Sequence, residues 1–470
     1  MTTETHDELS GGRLKRDTIG AFGLTFMVVA AAAPLTAMAS NLSLSLAFGV
    51  GGGTVGLLIV VAALLGIFAV AYVVLSRHVT NAGAYYAFIG FGLGKTAGAG
   101  AAFVATVAYN LAAGGMIAAT GYFAAATVES ELGLDAPWYA YGVVALALTA
   151  YLGRRGVEIT QRFTTGISLL QFAVIIALGV AILWQRPGGW SLGVFTPGQM
   201  FEGNVAMTLV FCILSFVGFE ATAIYGEEAK AARRSIKVAT YTSLALLVAV
   251  FVFSTWSITA AFPDVQAEAA SDPGSLVFRT ADTYLGGWSG GVLSTLVTIS
   301  FLAAGIAFHN MATRYHYALG RARLLPVRLA HTHPHLGTPS VGSAVQIGIS
   351  VLILAPFVIT KADPIINLFP AVSGITSLSL TALMIGCCAS IVVAAVAGRL
   401  PESRWATMVA PGVAGVSLVA ICGIIIANYQ EVTGSTELVI ALMPLIPVAA
   451  AIYGALAFRR VGDADLDAHL

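Results

Sequence analysis

Long uncharged apolar runs recur along the whole chain, and they leave it few ways to fold. Residues 53–76, 340–360 and 406–428 contain no Asp, Glu, Lys or Arg. A bilayer core of about 30 Å takes roughly 20 such residues per helix. Within it only helices or closed barrels satisfy the backbone. The runs are too long for barrel strands, so the predicted class is an all-α polytopic membrane protein. Charged residues are 10% of the 470 and apolar residues 58%, against about 25% charged in soluble domains. That excludes a soluble enzyme. Lys+Arg and Asp+Glu are 23 each, so no basic surplus points to nucleic acid.

Twelve spans are predicted, at 18–45, 53–76, 96–126, 136–153, 158–184, 203–227, 236–261, 288–319, 340–360, 364–397, 406–428 and 437–458. Stretches near 82–93 and 274–286 read as short interfacial helices. With the N-terminus inside, every Lys and Arg falls on the cytoplasmic side except Arg186, Arg279 and Lys361. That bias sets both termini in the cytoplasm of a multi-pass plasma-membrane protein. The polar start, MTTETHDELSGGRLKRD, reads as a cytoplasmic tail over 1–17, not a cleavable leader. Cys212, Cys387, Cys388 and Cys422 sit in apolar runs without metal spacing and read as packing residues.

Two spans are interrupted. The first carries Pro34 after Ala30–Ala33; proline removes one backbone hydrogen bond and clashes with the preceding turn. The sixth carries Gly218, flanked by Phe216 and Phe219 and followed by Glu220. Span 1 starts inside and span 6 outside, so spans 1–5 (18–184) and 6–10 (203–397) read as inverted five-helix units. Spans 11–12 (406–458) and a cytoplasmic tail (459–470) follow. Paired interruptions at corresponding places in two halves point to a transporter site at the midplane. Half-helix N-termini there suit a carboxylate and half-helix C-termini an ammonium, so the expected substrate is a zwitterion.

Glu220 is the one acid at membrane depth, and such groups are functional candidates. It is either a proton carrier or a fixed carboxylate holding the broken helix together. His309 in span 8 is a second proton candidate, or a hydrogen-bonded packing residue. Asn310 beside it, and Tyr109 and Asn110 in span 3, could join the site. Glu227 and Glu228 are a solvated inner rim, or a gate pairing with Arg of the 2–3 or 8–9 loops. His331, His333 and His335 lie in a loop without an acidic or Cys partner, so no metal is expected there.

Three stretches resemble the amino acid–polyamine–organocation superfamily of transporters: RYHYALGRARLLPVRLAHTHPHLGTPS (314–340), SFVGFEATAIYGEEAK (215–230) and NAGAYYAFIGFGLGKTAG (81–98). The resemblance implies two inverted five-helix repeats plus two helices, and uptake or exchange of amino acids or related amines. It implies that backbone N–H groups near Leu35, Thr36 and Ala37 meet the substrate carboxylate. Carbonyls near Ala31, Ala32, Phe216 and Val217 would meet its amino group, with Gly218 at the break and Phe216 as an aromatic gate. The chain departs from relatives in having Ala-Ala-Ala-Pro34 for a Gly-rich break. It also has Gln171 where some proton-coupled relatives have a lysine replacing sodium.

The expected function is therefore a permease, a secondary transporter driven by a proton through Glu220 or His309. A substrate exchanger or a polyamine permease is the alternative. A channel lacks a repeated pore loop or ring of charges. A membrane enzyme lacks clustered catalytic groups, and an ATP pump lacks its phosphate loop. The expected partners are a small amino acid or amine, a proton and membrane lipid, with no cofactor and no nucleic acid. With no second acid at the site, neutral amino acids are favoured over polyamines or arginine.

Overall fold

The computed structural model describes residues 14, 17–155, 157–430 and 441–461. Most of the 1–17 tail, the first residues of the predicted span 437–458, and 462–470 of the C-terminal tail lie outside the described residues. Helices account for all the regular structure described apart from one isolated β-bridge, Ile19 to Ala229.

In chain order, α1 (Ala21–Ala32), α2 (Pro34–Ala37), a π-helical turn (Met38–Leu42) and α3 (Ser43–Phe48) form the first span. Next come α4 (Thr54–His78), the short α5 (Tyr85–Leu93), α6 (Lys95–Leu132), α7 (Trp138–Arg154) and α8 (Val157–Gln185). A short α9 (Pro197–Met200) precedes α10 (Val205–Phe216) and α11 (Ala221–Ile224), the two pieces of the sixth span. Then follow α12 (Ala232–Ala261), α13 (Val265–Ser271), α14 (Leu276–Leu285) and α15 (Ser289–Arg321). The last are α16 (Ser340–Thr360), α17 (Phe369–Val396), α18 (Ala410–Ala427) and α19 (Leu445–Val461).

Ten helical segments among the described residues are long and apolar enough to cross a membrane. The other two predicted spans correspond to α7 and α19, which have 17 residues each and fall short of that length. Twelve crossings are thus not established by length and composition. The expected interfacial helices near 82–93 and 274–286 are α5 and α14. The sequence reading did not anticipate α13 or the short turns between α8 and α10.

Burial separates the centre from the rim. Ala21–Phe48 and Val205–Ile224 each bury 89% of their most apolar stretch, whereas Ser340–Thr360 buries 28%. The interrupted spans are therefore the innermost elements. Side chains such as Leu352 and Ile359 of α16 face outward, as lipid requires. The Ala- and Gly-rich α6 packs against α5, α15, α17 and α19. Small residues permit such close approach, because lipid offers no hydrophobic drive for helix association.

Candidate functional site

The first interruption follows from Pro34. A residue before proline is disfavoured in the right-handed helical region. Ala33 accordingly leaves α1 in the left-handed conformation, φ 44° and ψ 73°, which costs about 1–2 kcal/mol for a residue with a Cβ. Residue 34 has no N–H to offer the Ala30 carbonyl. The Leu35 N–H turns to the side chain of Gln171 on α8, 3.2 Å from its Oε1. Gln171 is buried, and its Nε2 has no partner among the described residues.

The second interruption spans residues 217–220. Val217 ends α10 with φ −57° and ψ 132°, and Gly218 turns the chain with φ 107°. Only glycine adopts that conformation without strain. Gly218 also touches the first break: a Cβ built on it would lie 2.8 Å from the Ala31 Cβ and 3.2 Å from the Ala32 N.

Glu220 is fully buried beside this turn. Its Oε2 accepts the Gly218 N–H at 2.9 Å, and its Oε1 accepts the Tyr109 hydroxyl at 3.0 Å. The Tyr72 hydroxyl donates to its backbone carbonyl. The carboxyl therefore closes the turn on itself and ties it to α6. Tyr109 packs on Phe308 of α15, ring centroids 6.4 Å apart.

A small cavity, with about 30 Å³ of accessible internal space, lies between the breaks, α6, α15 and α17. Of the residues expected at the site, Ala31, Ala32, Thr36, Ala37 and Val217 line it. Leu35, Phe216, Gly218, Glu220, His309 and Gln171 do not. Phe216 is buried against Phe251 of α12, centroids 5.2 Å apart at 85°. His309 faces α16, where its Nδ1 meets the Gln346 Oε1 and its Nε2 the Ser343 Oγ at 3.0 Å. Asn110 joins His316 at 3.1 Å and Asn310 lends its carbonyl to Arg314.

Sequence reasoning missed the far wall, which includes Gly115, Phe308 and Thr376. It also missed Asn41. This residue sits in the π-helical turn after the break and lines the cavity. It is 7% exposed, and its Oδ1 has no partner among the described residues. π-Helical turns are frequent at functional sites, and a lone amide in an apolar span was the available signal. Among the described residues no charged side chain lines the cavity.

Among the described residues, two ion pairs tie the end of the bundle where α15 finishes. Arg314 meets Glu228 at 2.6 Å, both nearly fully buried, and its guanidinium lies 4.3 Å over the Tyr225 ring. Arg321 meets Glu227 at 2.8 Å, and Glu227 also accepts the Ala82 N–H at 2.9 Å. Both arginines belong to α15 and not to the loops expected from sequence. The segment before α1 is laced to the same turn. Ile19 N–H donates to the Glu228 carbonyl at 3.1 Å, and Lys230 N–H to the Ile19 carbonyl at 2.8 Å.

A family model described as amino acid permease matches residues 19–456. The low-affinity putrescine importer of Escherichia coli K12 is 25% identical over 258 residues, 53% of this chain and 55% of the importer. The branched-chain amino acid permease of Bacillus subtilis 168 is 25% identical over 202 residues, 43% of this chain and 42% of that permease. The matched stretches thus span about half the length of these curated relatives or less. In architecture the chain is similar to a crystal structure of the Eremococcus coleocola manganese transporter in complex with an aromatic bis-isothiourea substituted compound. The TM-score is 0.54 at 15% identity, covering 98% of this chain and 97% of that one, a likeness of fold.

Proposed function

The chain belongs to the amino acid permease family, and from that premise we propose that it carries an amino acid with an uncharged side chain across the plasma membrane by alternating access. The observation that carries this reading is the cavity lined by residues of both helix breaks. Broken helices supply a carboxylate with N–H groups and an ammonium with carbonyls, without a charged side chain. The walls are apolar apart from Asn41, Thr36, Ser373 and Thr376. A diamine would bring two charges into a site with no lining carboxylate, and unpaired buried charge is costly. The likeness to a branched-chain permease therefore carries more weight here than the likeness to a putrescine importer.

Residues 18–184 and 203–397 form the two inverted units in this reading, and both termini are cytoplasmic. Ala31, Ala32, Thr36, Ala37 and Val217 offer backbone groups to the substrate, and Gly218 lets the two breaks approach closely. A proton supplies the driving force, carried by Glu220. When Glu220 gains a proton it loses an acceptor for the Gly218 N–H or the Tyr109 hydroxyl, so protonation and the shape of the break are linked. Exchange without a gradient is the second reading, favoured by the hydrogen bonds that already hold Glu220 in place.

The test is uptake of a panel of amino acids and diamines into proteoliposomes, with and without an inward pH step and with sodium replaced. Accumulation of neutral amino acids that follows the pH step supports the proposal. Accumulation that follows sodium and ignores pH removes the proton, and preference for diamines removes the substrate class.

A further inference from the structure

A second and larger recess, open to the outside and with about 820 Å³ of accessible space, lies away from the cavity, between the end of α7 and the start of α16. Its polar rim holds Arg154, Arg155 and His333, and its apolar side includes Ala147, Ala150 and Val341. Both arginines are exposed, and among the described side chains no carboxylate pairs with either. The Arg155 guanidinium lies 4.5 Å over the Tyr151 ring. That contact lays the guanidinium flat on the α7 side of the recess.

We propose that this recess binds an anionic phospholipid of the inner leaflet. Three observations converge on that occupant. The arginines sit at the end of the bundle that the charge bias assigns to the cytoplasm, at the level where acidic headgroups lie. The apolar side of the recess continues into outward faces of α7 and α16 that carry Val143, Val144, Leu148, Val345, Val351 and Leu352, so acyl chains have a surface to follow. Two guanidiniums beside a helix start match a phosphodiester, which accepts planar paired donors and favours the positive end of a helix. A soluble anion would satisfy the rim but leave the apolar side bare.

One residue beside the recess lies close against the core. Gly153 precedes Arg154, and a Cβ there would lie 2.6 Å from the His309 Nε2.

The experiment is a thermal-shift titration of the purified full-length protein in neutral detergent. The probes are dioleoyl phosphatidylglycerol, dioleoyl phosphatidylcholine and glycerol 3-phosphate. Phosphatidylglycerol should raise the unfolding midpoint at concentrations where the other two have little effect. Each basic residue near a membrane surface contributes roughly fivefold in affinity, so R154Q/R155Q should bind phosphatidylglycerol roughly 30-fold more weakly. Without added lipid the same variant should unfold cooperatively at a midpoint near that of wild type, which shows it folded. R404Q, a change to another exposed basic residue, should leave phosphatidylglycerol binding intact. Equal shifts from the two lipids, or undiminished phosphatidylglycerol binding by R154Q/R155Q, would overturn the proposal. A shift from glycerol 3-phosphate matching that of the lipid would also overturn it, since the apolar side would then be idle. The readout is binding, so its outcome stands apart from whether the central cavity transports amino acids.

Discussion

Gly218 of the sixth-span break rests directly on Ala31 of the first-span break. A Cβ on Gly218 would stand 2.8 Å from the Ala31 Cβ. The two unwound segments thus define one shared space, and a change of bulk in either is felt by both. Gly218→Leu should abolish uptake, and Gly218→Ala should lower it at least tenfold, because φ 107° is closed to both residues. Membrane yield should stay near wild type, since the surrounding spans are unaltered. Normal transport by Gly218→Leu would show that the substrate does not use this turn.

Glu220→Gln keeps the shape of the side chain and an acceptor oxygen but cannot titrate. It should continue to exchange labelled for unlabelled substrate while losing accumulation driven by a pH step. Its pH profile of exchange should be flatter than that of wild type. His309→Gln serves as the comparison, because His309 faces α16 and not the cavity. It should lower stability and keep gradient-driven accumulation. The opposite pattern would transfer the proton to His309.

Arg314→Gln leaves Glu228 as a buried carboxylate without its partner, a change that costs about 3–5 kcal/mol in such sites. Much of that loss should fall on the inner end of the bundle. A cysteine placed at Thr18 should react faster with a membrane-impermeant thiol reagent applied from the cytoplasmic side in the variant than in wild type. Equal reaction rates would mean that the pair does not hold the inner end shut.

Phe216 packs edge-on against Phe251 and takes no part in lining the cavity. Phe216→Leu should lose about 0.5–1.5 kcal/mol from the ring pair, read as a lower unfolding midpoint, with KM within twofold of wild type. A large rise in KM at unchanged stability would restore the aromatic gate expected from sequence.

Gln171→Leu removes the acceptor for the Leu35 N–H. An unsatisfied buried donor costs about 1–3 kcal/mol, so the midpoint should fall by a corresponding amount. Gln171→Glu, which retains an acceptor oxygen, should restore at least part of it. Failure of both variants to shift the midpoint would show that the Leu35 N–H finds another partner.

The breaks were legible because proline and glycine leave their mark in sequence: Pro34 lacks a donor and Gly218 tolerates a positive φ. The left-handed Ala33 was less legible, since alanine carries no such mark and only its place before proline points to it. Side-chain direction beyond a break was not legible at all. Helical phase is lost where the helix unwinds, and so Phe216 points at α12 while Val217 reaches the cavity. The far wall drew on α6, α15 and α17, whose rotation depends on tertiary packing. The acid pair at 227–228 was visible, but its partners depended on how the end of α15 folds over the turn after α11. The Ile19–Ala229 bridge joins segments remote in sequence and leaves no local pattern to read.

The two ion pairs at the inner end have an electrical consequence. Each joins one positive and one negative group within 2.6–2.8 Å. Were this end to open between α15 and the turn after α11, the charges of each pair would part from nearly the same depth. A unit charge crossing the whole field does about 2.3 kcal/mol of work per 100 mV, but opposite charges separating at one depth do almost none. Membrane voltage would then leave these pairs nearly untouched and act on whatever net charge travels with the substrate. A zwitterion accompanied by one proton carries one elementary charge inward per cycle, so the ratio of current to substrate flux would count the coupled protons.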